Sequence, residues 1–190
     1  MSTMVVPGSA LRNDRLANVW AVLEARNVFP VVVVVTSATA ADDTHGLARG
    51  LANVAQATGR RTGLLALVPS PRSVSDAASY AHLSVAGRPA TREAFNDVFV
   101  GWQAAHEVII VDAGVLGSEA FGFCVVPKAT SVVIAVCDQR RVASADRELV
   151  ALLAGLQASV FGVVMTAPIP KLLRNPDTRD LICFAAPARV

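Results

Sequence analysis

The chain has 190 residues, of which 53% are apolar and 17% charged, and its formal net charge is +2. That length suits one ordinary domain able to bury a real core, and it is short for two independent ones. So small a net charge argues against a nucleic-acid or anionic-membrane binder, and only Lys128 and Lys171 of the 17 basic residues are lysines, so a phosphate-binding lysine has few sources.

Residues 1 to 10 read as a loose arm. "RNDRLANVWAVLEARN" then has helical periodicity, with Leu16, Val19, Trp20 and Leu23 on one side and Asn27 and Pro30 ending it. Such a stripe outside a sheet sandwich needs a cover, either the chain's own core or a neighbour. It is assigned here as a candidate interaction surface for a second copy or a membrane-protein partner. "PVVVVVT" lacks alternation, the pattern of a strand buried on both faces of a parallel sheet.

A short polar turn, "SATAADDTH", leads into a helix over residues 44 to 57 with Leu47, Leu51 and Val54 inward, closed by "TGRR". The strand "TGLLALV" follows, completing a parallel crossover unit with a right-handed connection. Residues 69 to 89 are turn-rich with one weak helix. "TREAFNDVFVGWQAA" is a clearer helix running into the strand "EVIIVD". "SVVIAVC" is a fourth strand, "VASADRELVALLAGLQA" a helix with Val150, Leu153 and Leu156 available to the core, and "SVFGVVMT" a fifth strand. The tail from 167 to 190 holds four of the ten prolines and offers one further short strand, "LICFA". The division expected is an arm and packing helix over 1–29, a core over 30–166 and a tail over 167–190.

Five apolar strands joined by helix-length segments make an α/β three-layer sandwich with a mainly parallel sheet, whose crevice at the carboxyl ends of the strands is the expected place of function. Cys124, Cys137 and Cys183 have no metal-ligand spacing and read as free thiols in a reducing compartment. The first thirty residues lack a secretory signal pattern, and "VFPVVVVV" falls short of the roughly 20 residues of a membrane span. A cytoplasmic protein is expected, brought to the inner membrane through a partner if at all. His82 and His106 have no acidic or thiol partner in sequence, and "DQRR" with Arg147 reads as a solvated rim.

Strand, turn and helix are the local architecture of a phosphate-binding loop, but the chemistry is missing. Such a loop uses glycines to turn backbone N–H groups toward phosphates, a lysine for the outer phosphates and a Ser or Thr hydroxyl for magnesium. Here the turn carries Ala40, Ala41, Asp42, Asp43, Thr44 and His45. Two carboxylates would repel the phosphates, whereas Asp43 or Thr44 suits the N-cap and both acids suit the positive end of the helix dipole. The loop is thus expected to fill its own anion site. A weaker reading groups Asp42, Asp43 and His45 with Asp112 around a metal, since the strand bearing Asp112 should end nearby.

"VVVVVTSATAADDTHGLARGLANVAQATGRRTGLLAL" and "HEVIIVDAGVLGSEAFGFCVVPKATSVVIAVCDQRRVASADRELVALLAGLQASVFGVVMT" together resemble the MinD and ParA-like, deviant-Walker branch of P-loop ATPases. They are most similar to the cytoplasmic tyrosine kinases that work with chain-length regulators of capsular and exopolysaccharide synthesis, and "NDRLANVWAVL" is similar to the helix preceding the nucleotide domain there. In that frame Thr36 and Ser37 match. Asp43 stands for the last loop glycine, Thr44 for the lysine, His45 for the magnesium-binding hydroxyl and Gly50 for an asparagine, while Ala66 and Val68 replace two aspartates. Asp112 matches the Walker B aspartate, with Gly114 and Val115 in place of prolines, and Thr166 replaces the asparagine that meets adenine. The relatives' tyrosine-rich tail has no counterpart, Tyr80 being the only tyrosine.

The resemblance with these losses implies a non-catalytic adaptor or regulator of polysaccharide polymerisation and export, a pseudo-ATPase or pseudokinase with no catalytic residue and no cofactor. Its partner would be a second copy or a membrane-embedded chain-length regulator or export protein. Two alternatives stand beside it. One is a ParA or MinD-like scaffold or positioning protein. The other is an ATP- and magnesium-dependent tyrosine kinase or ATPase with an aberrant loop, or one completed by a partner's residue or by Arg140 or Arg141.

Overall fold

The computed structural model describes residues 8–40, 42–67, 81–83, 92–116, 120–137, 144–166 and 181–184. The elements run α1 (Gly8–Arg26), β1 (Val31–Ser37), α2 (Thr44–Ala57), β2 (Thr62–Ala66), β3 (Ala81–Leu83), α3 (Arg92–Ala105), β4 (Val108–Val115), α4 (Ala120–Val125), β5 (Ser131–Cys137), α5 (Ser144–Gly155), β6 (Val160–Thr166) and β7 (Leu181–Phe184), with one 3-10 turn at Val126–Lys128. The strands form one sheet in the order β3-β2-β4-β1-β5-β6-β7. All neighbours are parallel except β6 and β7, which are antiparallel.

The valine run explains the three layers. All seven residues of β1 are buried, and the two-residue repeat of a strand sends alternate side chains to opposite faces. Val31, Val33 and Val35 join a core with residues of α1 and α2. Val32 and Val34 join a second core with Phe99 of α3, Val125 of α4 and Leu149 and Leu153 of α5. The fold is therefore the expected α/β sandwich with a mainly parallel sheet.

Helix α1 belongs to the first of these cores. Leu16, Val19, Trp20 and Leu23 are buried there, Trp20 to 1% exposure. This corrects the assignment of that stripe as an interaction surface: the chain itself is the cover. The docking is close at Gly50 of α2, where an added Cβ would lie 2.5 Å from Leu16 Cδ1, so the missing side chain makes room for α1. Further along, Arg60 donates to Glu24 Oε1 from Nε at 2.9 Å and Nη2 at 2.6 Å, and its guanidinium lies 4.1 Å from the Phe29 ring centroid. Asn27 Nδ2 donates to the carbonyl of Leu23 and closes the helix end.

Three other departures have local causes. The turn-rich stretch supplies a short parallel edge strand, Ala81–Leu83, paired to β2; three residues are too few to show a period in sequence. Strand β4 continues past Asp112 to Val115, and after a one-residue slip Thr36 of β1 pairs with Gly114 and Ser37 with Val115. In α5 the inward positions are Leu149 and Leu153, and Val150 is 54% exposed. The tail strand is present as β7. Cys124 is half-buried. His106 Nδ1 lies 3.1 Å from the carbonyl of Trp102 within its own helix end. Tyr80, Val68, Arg140 and Arg141, with the side chains of His82, Cys137, Thr166 and Cys183, lie outside the described residues.

Candidate functional site

The sheet order fixes where a site belongs. From β1 the chain crosses first toward β2 and β4 and later to β5 on the other side, so a crevice opens at the carboxyl end of β1, between neighbours whose connections diverge. The turn after β1, the start of α2 and the end of β4 meet there.

The turn is held by its own side chains. Ser37 Oγ donates to the carbonyl of Thr39 at 2.9 Å, and Thr39 Oγ1 donates to Asp42 Oδ2 at 2.9 Å. The Thr44 N–H donates to the Asp42 carbonyl at 3.1 Å. Asp43 is the N-cap of α2, and its Oδ1 accepts the Gly46 N–H at 3.0 Å. A carboxylate there satisfies one of the first-turn amides and meets the positive end of the helix dipole. Gly46 makes this possible: an added Cβ would lie 2.1 Å from Asp43 Oδ2. The Leu47 N–H donates to the Asp43 carbonyl at 3.3 Å, so three amides at this helix start have partners inside the chain.

One residue into α2, His45 turns toward β4. Its Nδ1 lies 3.1 Å from Asp112 Oδ2, and because a carboxylate oxygen accepts, the ring nitrogen carries the hydrogen. The other oxygen, Asp112 Oδ1, accepts the Gly114 N–H at 3.1 Å, and Gly114 adopts a φ of 58° to deliver it. The His45 side chain is 40% exposed and that of Asp112 is 5%. Hydrogen bonding to Asp112 raises the His45 pKa above its ordinary value; partial burial opposes this, and the charges of Asp112 and Asp43 add to the rise. Thr36 is buried in the adjoining strand, its Oγ1 donating to the Gly114 carbonyl at 2.9 Å.

The sequence-derived positions Thr36, Ser37, Asp42, Asp43, Thr44, His45 and Asp112 thus converge at one end of the sheet, and Thr166 closes β6, opposite Cys137 of β5. Three participants were not singled out from sequence: Thr39, Gly46 and the backbone role of Gly114. The signal for Gly46 was its place three residues after the N-cap, where a side chain would collide with the cap.

The chain matches no protein-family model and no curated protein. Solved structures do match. The chimerical protein CapA2B2 superposes with a TM-score of 0.68 at 14% identity, covering 83% of this chain and 85% of that one. The VpsO kinase domain gives 0.64 at 15%, covering 81% and 95%. The kinase domain of the Escherichia coli tyrosine kinase ETK gives 0.63 at 11%, covering 92% and 85%. The fold is tyrosine-kinase-like. At these identities the likeness is one of fold.

The resemblance drawn from the sequence implies a magnesium nucleotide at this crevice. As they stand, the side chains here do not fit one. The Asp43 carboxylate holds the Gly46 amide and lies where negative charge on a ligand would have to come. His45 meets the carboxylate oxygen that an ion would need. Among the described residues no group of three or more His, Cys, Asp or Glu is arranged to hold a metal, so the grouping of Asp42, Asp43, His45 and Asp112 around an ion is not formed. No described helix is long and apolar enough to cross a membrane.

Proposed function

We propose that this chain is a non-catalytic, kinase-like adaptor, acting in polysaccharide polymerisation or export through its partner. The observation that carries the reading is the Asp43 carboxylate on the Gly46 amide: a side chain of the chain itself takes the place a phosphate group would take at the start of α2. A domain so closed keeps its shape without nucleotide, which suits a role in binding rather than turnover. The partner class follows from the resemblance to kinases of capsular and exopolysaccharide systems: a membrane-embedded chain-length regulator or export protein, or a second copy.

A second reading is an active tyrosine kinase or ATPase whose site a partner completes. It is supported by the solved neighbours, two of the three named being described as kinase domains, and by Asp112, which stands within β4 where the resemblance puts a Walker B aspartate. Charge supplied in trans is an established device in phosphoryl transfer.

One experiment separates them. The chain is co-expressed with the cytoplasmic segment of a chain-length regulator, and complex formation, ATP hydrolysis and tyrosine phosphorylation are measured on the same sample. The adaptor reading expects a complex with neither turnover nor phosphotyrosine; turnover that disappears on Asp112→Ala would establish the second reading instead.

A further inference from the structure

Resting on the adaptor reading, the contact between His45 and Asp112 carries a more specific conclusion. Asp112 is almost entirely buried, and both its oxygens have partners: Oδ1 accepts from Gly114 N–H and Oδ2 from His45 Nδ1, each at 3.1 Å. Magnesium binds a carboxylate oxygen at about 2.0–2.1 Å. The lone pair on Oδ2 facing α2 cannot serve both the imidazole hydrogen and an ion, and the ring stands where the ion's hydration shell would lie. In an ordinary phosphate-binding loop this second helix residue is a Ser or Thr, whose hydroxyl accepts a metal bond; an imidazole donating from Nδ1 presents a hydrogen to the same space. Of the neighbouring charges, Asp112 and Asp43 favour a cation there and the weaker influence of Arg49 opposes it. What keeps a cation out is therefore the ring.

We infer that His45 is the residue that closes this site to divalent cations, and that a small hydroxyl side chain in its place would open Asp112 to magnesium or manganese. The specificity lies in one side chain, separately from the Asp43 cap that takes the phosphate position.

Manganese is the probe, titrated without nucleotide into the full chain and followed by the electron paramagnetic resonance of the free ion. The parent should show no binding that depends on Asp112. His45→Ser should gain a saturable site with affinity at least about tenfold above the parent, and His45→Ser with Asp112→Asn should lose it. Circular dichroism checks the fold of each variant. Independently of any substitution, nuclear magnetic resonance of the parent should show the His45 ring signals unbroadened by manganese. Broadening there, or a folded His45→Ser chain that binds no better than the parent, would overturn the inference. Binding of ATP to the parent in the presence of a metal chelator would instead count against the self-filled phosphate position, leaving the cation result intact.

Discussion

Gly46→Ala tests whether the Asp43 carboxylate closes the loop. A Cβ on Gly46 would lie 2.1 Å from Asp43 Oδ2 and 2.9 Å from its Cγ, well inside contact distance, so the substituted chain cannot keep the cap in its present position. Two effects then oppose each other. Alanine in place of glycine favours a helix by up to about 1 kcal/mol, whereas loss of an N-cap acid costs about 1 kcal/mol, within a range of roughly 0.5–2. The single substitution should therefore change stability by less than about 1 kcal/mol. The coupling between the two residues is more informative. With Asp43→Ala already in place there is no carboxylate to displace, and the same Gly46→Ala change should stabilise by up to about 1 kcal/mol. Urea denaturation of the parent, both single variants and the double variant should give a coupling energy of about 1–2 kcal/mol. Effects that add within about 0.3 kcal/mol would refute the reasoning, because the carboxylate would then not occupy the space above Gly46.

Trp20→Glu should unfold the chain: removing so buried an indole costs about 3–5 kcal/mol before the added charge is counted, and a native circular dichroism spectrum with an altered mass in light scattering would return α1 to the role of a docking surface. The His45 pKa is raised in the folded chain, so its pairing with Asp112 contributes fully below the ordinary imidazole value and is lost as pH rises through the folded one. Because the His45 side chain is 40% exposed, solvent screening keeps this to about 1 kcal/mol. Urea midpoints should therefore fall in the parent as pH rises past the ordinary imidazole range and stay level there in His45→Asn; equal slopes would mean the pair is not formed. Thr44→Lys alone should bring no ATP binding in calorimetry, since the loop keeps its carboxylates and lacks its glycines; micromolar affinity in that variant would contradict the account of the loop.

Much of the fold was legible because local and global signals agree. The valine run could only be a strand buried on both faces, and α2 begins and ends where its signals place it, at the Asp43 cap and at Gly59, whose φ of 84° ends the helix. What was not legible depended on partners distant in sequence. Ala81–Leu83 is a strand because β2 lies beside it, and the stripe on α1 showed that it needed a cover without showing which. Gly50 held that answer, since a glycine under Leu16 marks a close helix approach, but it becomes meaningful only once the two helices are seen together. At the site, the Asp43 cap was readable from its place before α2, and Asp112 could be placed near the loop. The bond from His45 to Asp112 spans 67 positions in sequence and depends on the parallel register of β1 and β4, which no local pattern encodes.

The central claim is that the chain's own side chains occupy the nucleotide position. Isothermal titration calorimetry of the full chain with ATP and magnesium tests it most directly. The account predicts no saturable binding up to about 1 mM ATP; a micromolar dissociation constant that weakens on Asp112→Ala would contradict it.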